Sequence, residues 1–154
     1  MEEILLYFSL KYAGDFDSIL KALECKEKID EKLKKELFKD ITANYTTLIS
    51  PDYPTALKEI ACPPFVLFYY GNLALVKNKC ISVIGKRHPS TYGVECTAAL
   101  AAQLVEAGYT IISGMAMGID TIAHQSTITA NGQTIAVLGS GIAIHTEINS
   151  CIRF

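Results

Sequence analysis

The sequence predicts an α/β fold: a doubly wound, mainly parallel sheet with a small helical extension at the amino terminus. The first observation is that short β-branched runs alternate with helical patterns over the second half of the chain. The second is that short, glycine-bearing loops join them, as expected of parallel strands linked by right-handed crossovers. The third is a change near residue 41 from charge-rich helical patterns to aromatic and β-branched runs. We therefore expect a helical region over residues 1–40 and an α/β domain over residues 41–154.

Composition limits the class of protein. The chain has 154 residues, half of them apolar, and a formal net charge of −2. No apolar run approaches the length of a membrane span, and the acidic start lacks the basic segment of a signal peptide, so we expect a cytoplasmic protein without membrane contact. The five cysteines show no C-x-x-C spacing, which argues against a disulfide framework or a zinc site. We expect neither a metal nor a cofactor.

Hydrophobic periodicity places the predicted elements. Helical spacing fills most of residues 1–39. Strands are then predicted at Tyr45–Ile49 and Phe65–Tyr70, separated by a short helix that buries Leu57 and Ile60.

The second half is predicted as strand, helix, strand, helix, strand. The strands are Cys80–Ile84, Thr110–Ser113 and Thr134–Leu138; one helix begins at Ser90 or Thr91 and ends before Gly108, and the other runs from Gly118 to about Ala130.

The turns that follow these strands are the predicted site. Parallel strands deliver their carboxyl ends to one edge of a sheet, where open α/β sheets bind ligands. The stretch from Ser113 to His124 passes from strand through a glycine-bearing loop into a helix, which aims backbone N–H groups and the positive end of the helix dipole at an anion. No lysine or arginine occurs between His88 and Cys151, so Lys86 and Arg87 must supply the charge for a polyanion. The turns expected to line one crevice are Gly85-Lys86-Arg87, Ser113-Gly114 and Gly139-Ser140-Gly141.

Common enzyme motifs are incomplete here, and we predict no catalytic residue. A P-loop fails because Cys80 stands where the first glycine of G-x-x-x-x-G-K-[ST] is required and Arg87 replaces the Ser or Thr. A dinucleotide loop fails because Ile144 stands in place of the third glycine. Ser113 lacks the G-x-S-x-G pattern of a nucleophile, so a phosphate contact or a backbone hydrogen bond suits it better.

Three other polar residues near this edge are weighed individually. Asp120 lies in the first helical turn, where the dipole favours a carboxylate, and His124 follows one turn later. We assign both a supporting role, although such a pair can act as a general base. Arg87 is the strongest ligand candidate, since its guanidinium pairs with phosphates and stacks on planar groups. Its alternative is a helix cap or an internal salt bridge.

Five blocks of sequence occur in a consistent order between about Tyr45 and Ile142. They are Tyr53-Pro54-x-x-Leu57; Pro63-Pro64-Phe65-Val66-Leu67-Phe68-x-x-Gly71; Gly85-x-Arg87 with Ser90-x-Tyr92-Gly93; Ser113 to His124; and Thr134-Ile135-Ala136-Val137-Leu138-Gly139-x-Gly141. Together they resemble the DNA-processing protein A family, DprA, also called Smf.

The resemblance implies an extended Rossmann-like domain with no established enzymatic activity. It implies a single-stranded DNA-binding recombination mediator of natural transformation (competence), which protects incoming DNA, loads the RecA recombinase and usually acts as a homodimer. The DNA-contacting arginine of the family corresponds to Arg87, and its phosphate-facing loop corresponds to residues 113–118. The predicted DNA- or phosphate-binding residues are Gly85, Lys86, Arg87, Ser113, Gly114, Met115, Ala116, Gly118, Gly139 and Gly141.

This chain also departs from the family's pattern. Lys86 stands where the family usually has Ser or Thr, and the residues after Gly141 lack the expected aspartate and Tyr-Pro. We expect a member truncated after the first half of the Rossmann-like domain. Two alternatives stay open: a Rossmann-like protein that binds a nucleotide or small molecule at the same edge, and a fragment with little activity.

Overall fold

The computed structural model describes residues 1–139, in two compact units. The first unit comprises Met1–Leu73 and the second begins at Ala74. The boundary predicted near residue 40 falls inside the first unit, because the two strands that follow it contact the first helix. Ser140 and Gly141 of the predicted site lie outside the described residues.

The first unit combines helices with a two-stranded hairpin. Asp15 caps the second helix by accepting from the Ser18 amide at 2.9 Å, and Asp30 caps the third. The elements are α1 (Glu2–Lys11), α2 (Phe16–Glu24), α3 (Glu31–Lys39), β1 (Asn44–Thr47), α4 (Thr55–Lys58) and β2 (Val66–Tyr69).

The core of this unit forms between α1, α2 and the hairpin. Four consecutive residues of α1, Leu5 to Phe8, are buried, so most of the circumference of this helix is covered. They pack with Ile19 of α2 and with Phe65 and Val66, while β1 and β2 pair antiparallel. The expectation that Ile60 is buried is wrong: α4 ends at Lys58, and Ile60 beyond it is exposed.

The second unit contains a parallel three-stranded sheet, which confirms the predicted α/β class. Its strands lie in the order β3-β4-β5, and α5 packs against α6. Sequential strands with right-handed crossovers place both helices on one face, which is half of a doubly wound arrangement. After a 3-10 turn (Leu73–Lys77), the elements are β3 (Cys80–Ser82), α5 (Thr91–Glu106), β4 (Thr110–Ser113), α6 (Ile119–Thr129) and β5 (Thr134–Ala136).

The two helices are anchored by a small apolar core. It is formed by Val83, just after β3, by Ile111 of β4 and by Ile119 and Ala123 of α6. Leu104 and Val105 of α5 pack against them. At the opposite edge, the Asn78 side chain donates to Thr110 Oγ1 (3.1 Å) and Gln133 Oε1 (2.9 Å), which ties the starts of β4 and β5 together.

Over residues 1–139, no helix is long and apolar enough to cross a membrane.

Candidate functional site

The turns after β3 and β4 pack directly against each other, as the strand order requires. The Ile119 amide donates to the Lys86 carbonyl at 3.2 Å. A Cβ on Gly85 would lie 2.7 Å from Ile119 Cγ1, and a Cβ on Gly118 would overlap the carbonyl oxygens of Lys86 and Arg87. Gly118 also has φ +84, which glycine adopts without strain. Both glycines are therefore needed for the close approach of the two turns.

The Asp120 carboxylate holds the loop after β4 in shape. This side chain is buried, and its Oδ2 accepts from the amides of Gly114 (3.2 Å) and Ala116 (3.3 Å). These amides flank Met115, which has φ +59. A left-handed conformation is uncommon for a residue with a side chain, and such strain persists only where neighbouring contacts impose it. Thr121 adds a further tie by donating to the Ala116 carbonyl at 2.8 Å.

The loop therefore presents fewer amides to a ligand than the sequence predicts. A phosphate bound by Gly114 and Ala116 would have to displace the Asp120 carboxylate, which is itself an anion. The Met115 side chain is buried. The amides of Met115, Met117 and Gly118 donate to no atom of residues 1–139, and Met117 is the exposed residue among the three.

Ser113 makes the backbone hydrogen bond that was one of its two predicted roles. Its side chain is buried, and Oγ donates to the Val83 carbonyl at 2.7 Å. This bond joins the end of β4 to the residue after β3. The Ser113 hydroxyl is therefore bonded within the fold and is not exposed to a ligand.

His124 is buried beneath the same loop and bonds to the sheet. Its Nδ1 lies 2.7 Å from Thr134 Oγ1, which itself donates to the Ile111 carbonyl at 2.9 Å. Because that hydroxyl has only one proton, Nδ1 is the donor to Thr134. Burial lowers the pKa of His124, and the nearby Asp120 carboxylate opposes that shift to a smaller extent. Asp120 and His124 thus have different hydrogen-bond partners.

The two predicted cations are exposed at the mouth of this edge. The salt bridges within residues 1–139 are Lys11–Glu27 and Lys34–Glu3, both in the first unit. Lys86 and Arg87 therefore form no ion pair in the described part of the chain. The cap of α5 is Ser90, whose Oγ accepts from the Gly93 amide at 3.2 Å. The alternatives weighed for Arg87, a helix cap or an internal salt bridge, are not observed here.

The remaining predicted residue at this edge is Gly139, which is exposed with no atom near its Cβ position. Gly141 lies outside the described residues. No group of three or more His, Cys, Asp or Glu side chains within residues 1–139 is placed to hold a metal ion.

Four large apolar side chains at this edge are exposed, and sequence reasoning named none of them among the individual binding residues. They follow β3, begin α5, sit in the loop before α6, and follow β5. The predicted elements place Ile84 and Val137 inside strands, Tyr92 at a helix start and Met117 in a loop, so the sequence pattern alone does not distinguish them from packed apolar residues. We call them the apolar rim: Ile84, Tyr92, Met117 and Val137.

Comparisons with known proteins match this chain to one family. A family model described as DNA recombination-mediator protein A matches residues 44–151. Protein Smf of Synechocystis sp. is 42% identical over 102 residues, which are 64% of this chain and 26% of that protein. DNA processing protein DprA of Bacillus subtilis is 35% identical over 128 residues, which are 79% of this chain and 43% of that protein.

Solved structures give the same result. DNA processing protein A from Streptococcus pneumoniae has 27% identity and a TM-score of 0.66, covering 94% of this chain and 56% of that one. A structure concerning the single-stranded DNA binding mode of the Helicobacter pylori protein has 29% identity and a TM-score of 0.60, covering 71% of this chain and 49% of that one. The chain thus spans about a quarter to just over half of the relatives it matches.

Replacing Gly118 by alanine should separate the two turns. The new methyl group would overlap the Lys86 and Arg87 carbonyls, and its φ of +84 would add strain, so we expect a loss of roughly 3 kcal/mol in the free energy of unfolding. Urea unfolding followed by circular dichroism measures it. Gly93→Ala is the control, because its Cβ would meet Pro89 at an ordinary 3.4 Å inside a helix, where alanine is favoured. Equal stability of Gly118→Ala and the parent chain would contradict the packing described above.

Replacing Asp120 by alanine should release the loop. Two hydrogen bonds to a buried carboxylate are lost, so we expect a cost of roughly 2–3 kcal/mol in the free energy of unfolding and faster hydrogen exchange at the Gly114 and Ala116 amides. Asp120→Asn retains an acceptor oxygen and should cost less, about 1 kcal/mol. If both variants exchange these amides at the parent rate, the carboxylate does not hold the loop.

The buried histidine should make stability depend on pH. Because the pKa of His124 is lowered on folding, the unfolded chain binds the proton more readily, and the free energy of unfolding falls as pH drops below about 6.5. Urea unfolding at about pH 7 and about pH 5.5 should show this loss in the parent chain and a smaller loss in His124→Gln. The matched control is His88→Gln, which makes the same substitution at an exposed position and so tests for a general effect of replacing a histidine. An unchanged profile in His124→Gln would refute this assignment.

Proposed function

This chain belongs to the DNA recombination-mediator protein A family, and on that premise we propose that it binds single-stranded DNA at the carboxyl edge of its parallel sheet. The observation that carries this proposal is the pair of exposed cations, Lys86 and Arg87, which have no ionic partner within residues 1–139. They lie against a loop whose Met117 and Gly118 amides are open. Cations and amides at one edge suit the phosphates of a nucleic acid backbone.

The arrangement of negative charge at this edge supports the same proposal. The second unit has three acidic residues within the described part of the chain: Glu95, Glu106 and Asp120. Asp120 is buried and bonded to the loop beneath the surface, while Glu106 lies at the far end of α5. Glu95, exposed in the second turn of α5, is the remaining carboxylate, so the two cations outnumber it at this end of the helix, which favours a polyanion.

A binding role is proposed rather than catalysis. The two side chains that could have acted as a general acid and base, Asp120 and His124, are buried and engaged with the loop and with Thr134. A general base must reach the proton of a bound substrate, and these two groups face inward. We therefore propose a site that binds a ligand and does not transform it.

The further family roles remain part of the proposal for the whole protein. Protection of incoming DNA, loading of RecA, dimer formation and a cytoplasmic place in natural transformation rest on the resemblance. The described residues supply a candidate DNA-contacting edge for such a mediator. Binding of RecA and of a second copy of the chain is inferred from the family alone, and its test is separate from the test of this edge.

Replacing Arg87 by alanine tests the proposed site. Loss of one phosphate contact should weaken binding of a labelled oligothymidylate roughly tenfold and lower the slope of log K against log salt by about 0.7. Fluorescence anisotropy between about 50 and about 200 mM salt measures both quantities. Gly85 and Gly118 keep their packing in this variant, because only the exposed side chain changes.

The control is Lys79→Ala, which removes an equal charge just before β3, at the opposite edge of the sheet. It should leave both affinity and slope nearly unchanged. Equal losses in the two variants would indicate a general charge effect and contradict the site. If a mononucleotide displaces the labelled oligothymidylate when both are present at the same total phosphate concentration, the result would instead favour the alternative function, binding of a nucleotide or small molecule.

A further inference from the structure

We propose that Tyr92 is a base-stacking residue, so that this edge binds nucleobases as well as phosphates. This inference rests on the proposed function and goes beyond it, since the proposed phosphate contacts require no base. Tyr92 is the only aromatic member of the apolar rim, and it lies in the first turn of α5, just after the cationic turn.

The exposure of the apolar rim is the first observation. Exposed fractions are 75% for Ile84, 74% for Tyr92, 60% for Val137 and 49% for Met117. Among large apolar side chains of the second unit within the described residues, these four are the most exposed, and all lie at the carboxyl edge. A concentration of exposed apolar surface at one place marks a binding surface more often than isolated exposed residues do.

The packing of the glycines places Tyr92 at the site. Its neighbour Gly93 has a Cβ position 3.9 Å from Ile119 Cδ1, and the Cβ position of Gly85 lies 2.7 Å from Ile119 Cγ1. The same isoleucine therefore contacts the cationic turn and the first turn of α5. Tyr92 is next to this junction in the chain and is largely exposed, and its hydroxyl interacts with the Cys96 side chain one turn further along α5, which leaves the faces of the ring accessible.

The positive charge beside the apolar rim indicates which ligand binds there. The rim adjoins Lys86 and Arg87, so its ligand must combine negative charge with planar apolar groups. Single-stranded DNA has both, because its unpaired bases expose their faces beside each phosphate, whereas a duplex keeps those faces stacked internally. An aromatic ring next to a cation is the usual arrangement for binding such a strand without sequence preference.

A strand without bases separates stacking from phosphate binding. The probes are an oligothymidylate and an abasic oligonucleotide of equal length, measured by anisotropy over a salt series. The variants are Tyr92→Ala and Tyr92→Phe. The control is Leu100→Ala on the same helix, since Leu100 is also exposed, at 48%, and lies about 12 Å further along the axis. Circular dichroism checks folding, and the exposed position of Tyr92 makes its truncation mild.

The expected result is specific to the bases. Tyr92→Ala should bind the oligothymidylate about tenfold more weakly and the abasic strand nearly as the parent does, with an unchanged salt slope. Tyr92→Phe and Leu100→Ala should bind both strands as the parent does. Equal losses on both strands, or no loss on either, would overturn the stacking role while leaving the phosphate site intact. A parent chain that binds neither strand would overturn the proposed function and the stacking role together.

Discussion

The buried carboxylate of Asp120 is the interaction on which the candidate site depends. It accepts from amides on both sides of Met115 and thereby holds a residue with a side chain in a left-handed conformation. Gly114 permits this approach, because a Cβ there would lie 2.9 Å from the carboxylate oxygen. The loop, the start of α6 and the turn carrying Lys86 are consequently held as one arrangement.

In this arrangement, some groups of the candidate site are bonded within the fold, and others are left for a ligand. Glycine-rich turns before a helix commonly offer successive amides to an anion, but here the chain's own carboxylate takes two of them. The groups left without a partner in the described residues are the Met115, Met117 and Gly118 amides and the two cations, beside the exposed apolar rim. This arrangement supports the proposed extended strand rather than one compact phosphate, because compact phosphate sites rely on convergent amides, two of which Asp120 occupies here.

The start of the family match and the boundary between the two compact units lie at different residues of this chain. The family match begins at residue 44, with β1, so it includes the hairpin as well as the parallel sheet. Compactness instead groups the hairpin with the amino-terminal helices, because Phe65 and Val66 complete the core of α1. The boundary predicted from the change in composition lies close to the start of the family match. It does not coincide with the boundary of the compact unit, because the hairpin is buried against α1 through contacts between residues that are distant in the sequence.

The sequence by itself determined the parallel strand–helix alternation, because glycines and β-branched runs mark strand ends locally, and β4 falls at the predicted Thr110–Ser113. It also brought Gly85 and Gly118 to one edge, since parallel strands share their carboxyl ends. Only the tertiary structure decided which groups face a ligand. Ser113 and the amides of Gly114 and Ala116 find partners within the fold, whereas Tyr92 is left exposed. Hydrogen-bond partners and burial arise from contacts between separate elements, which a local pattern does not specify.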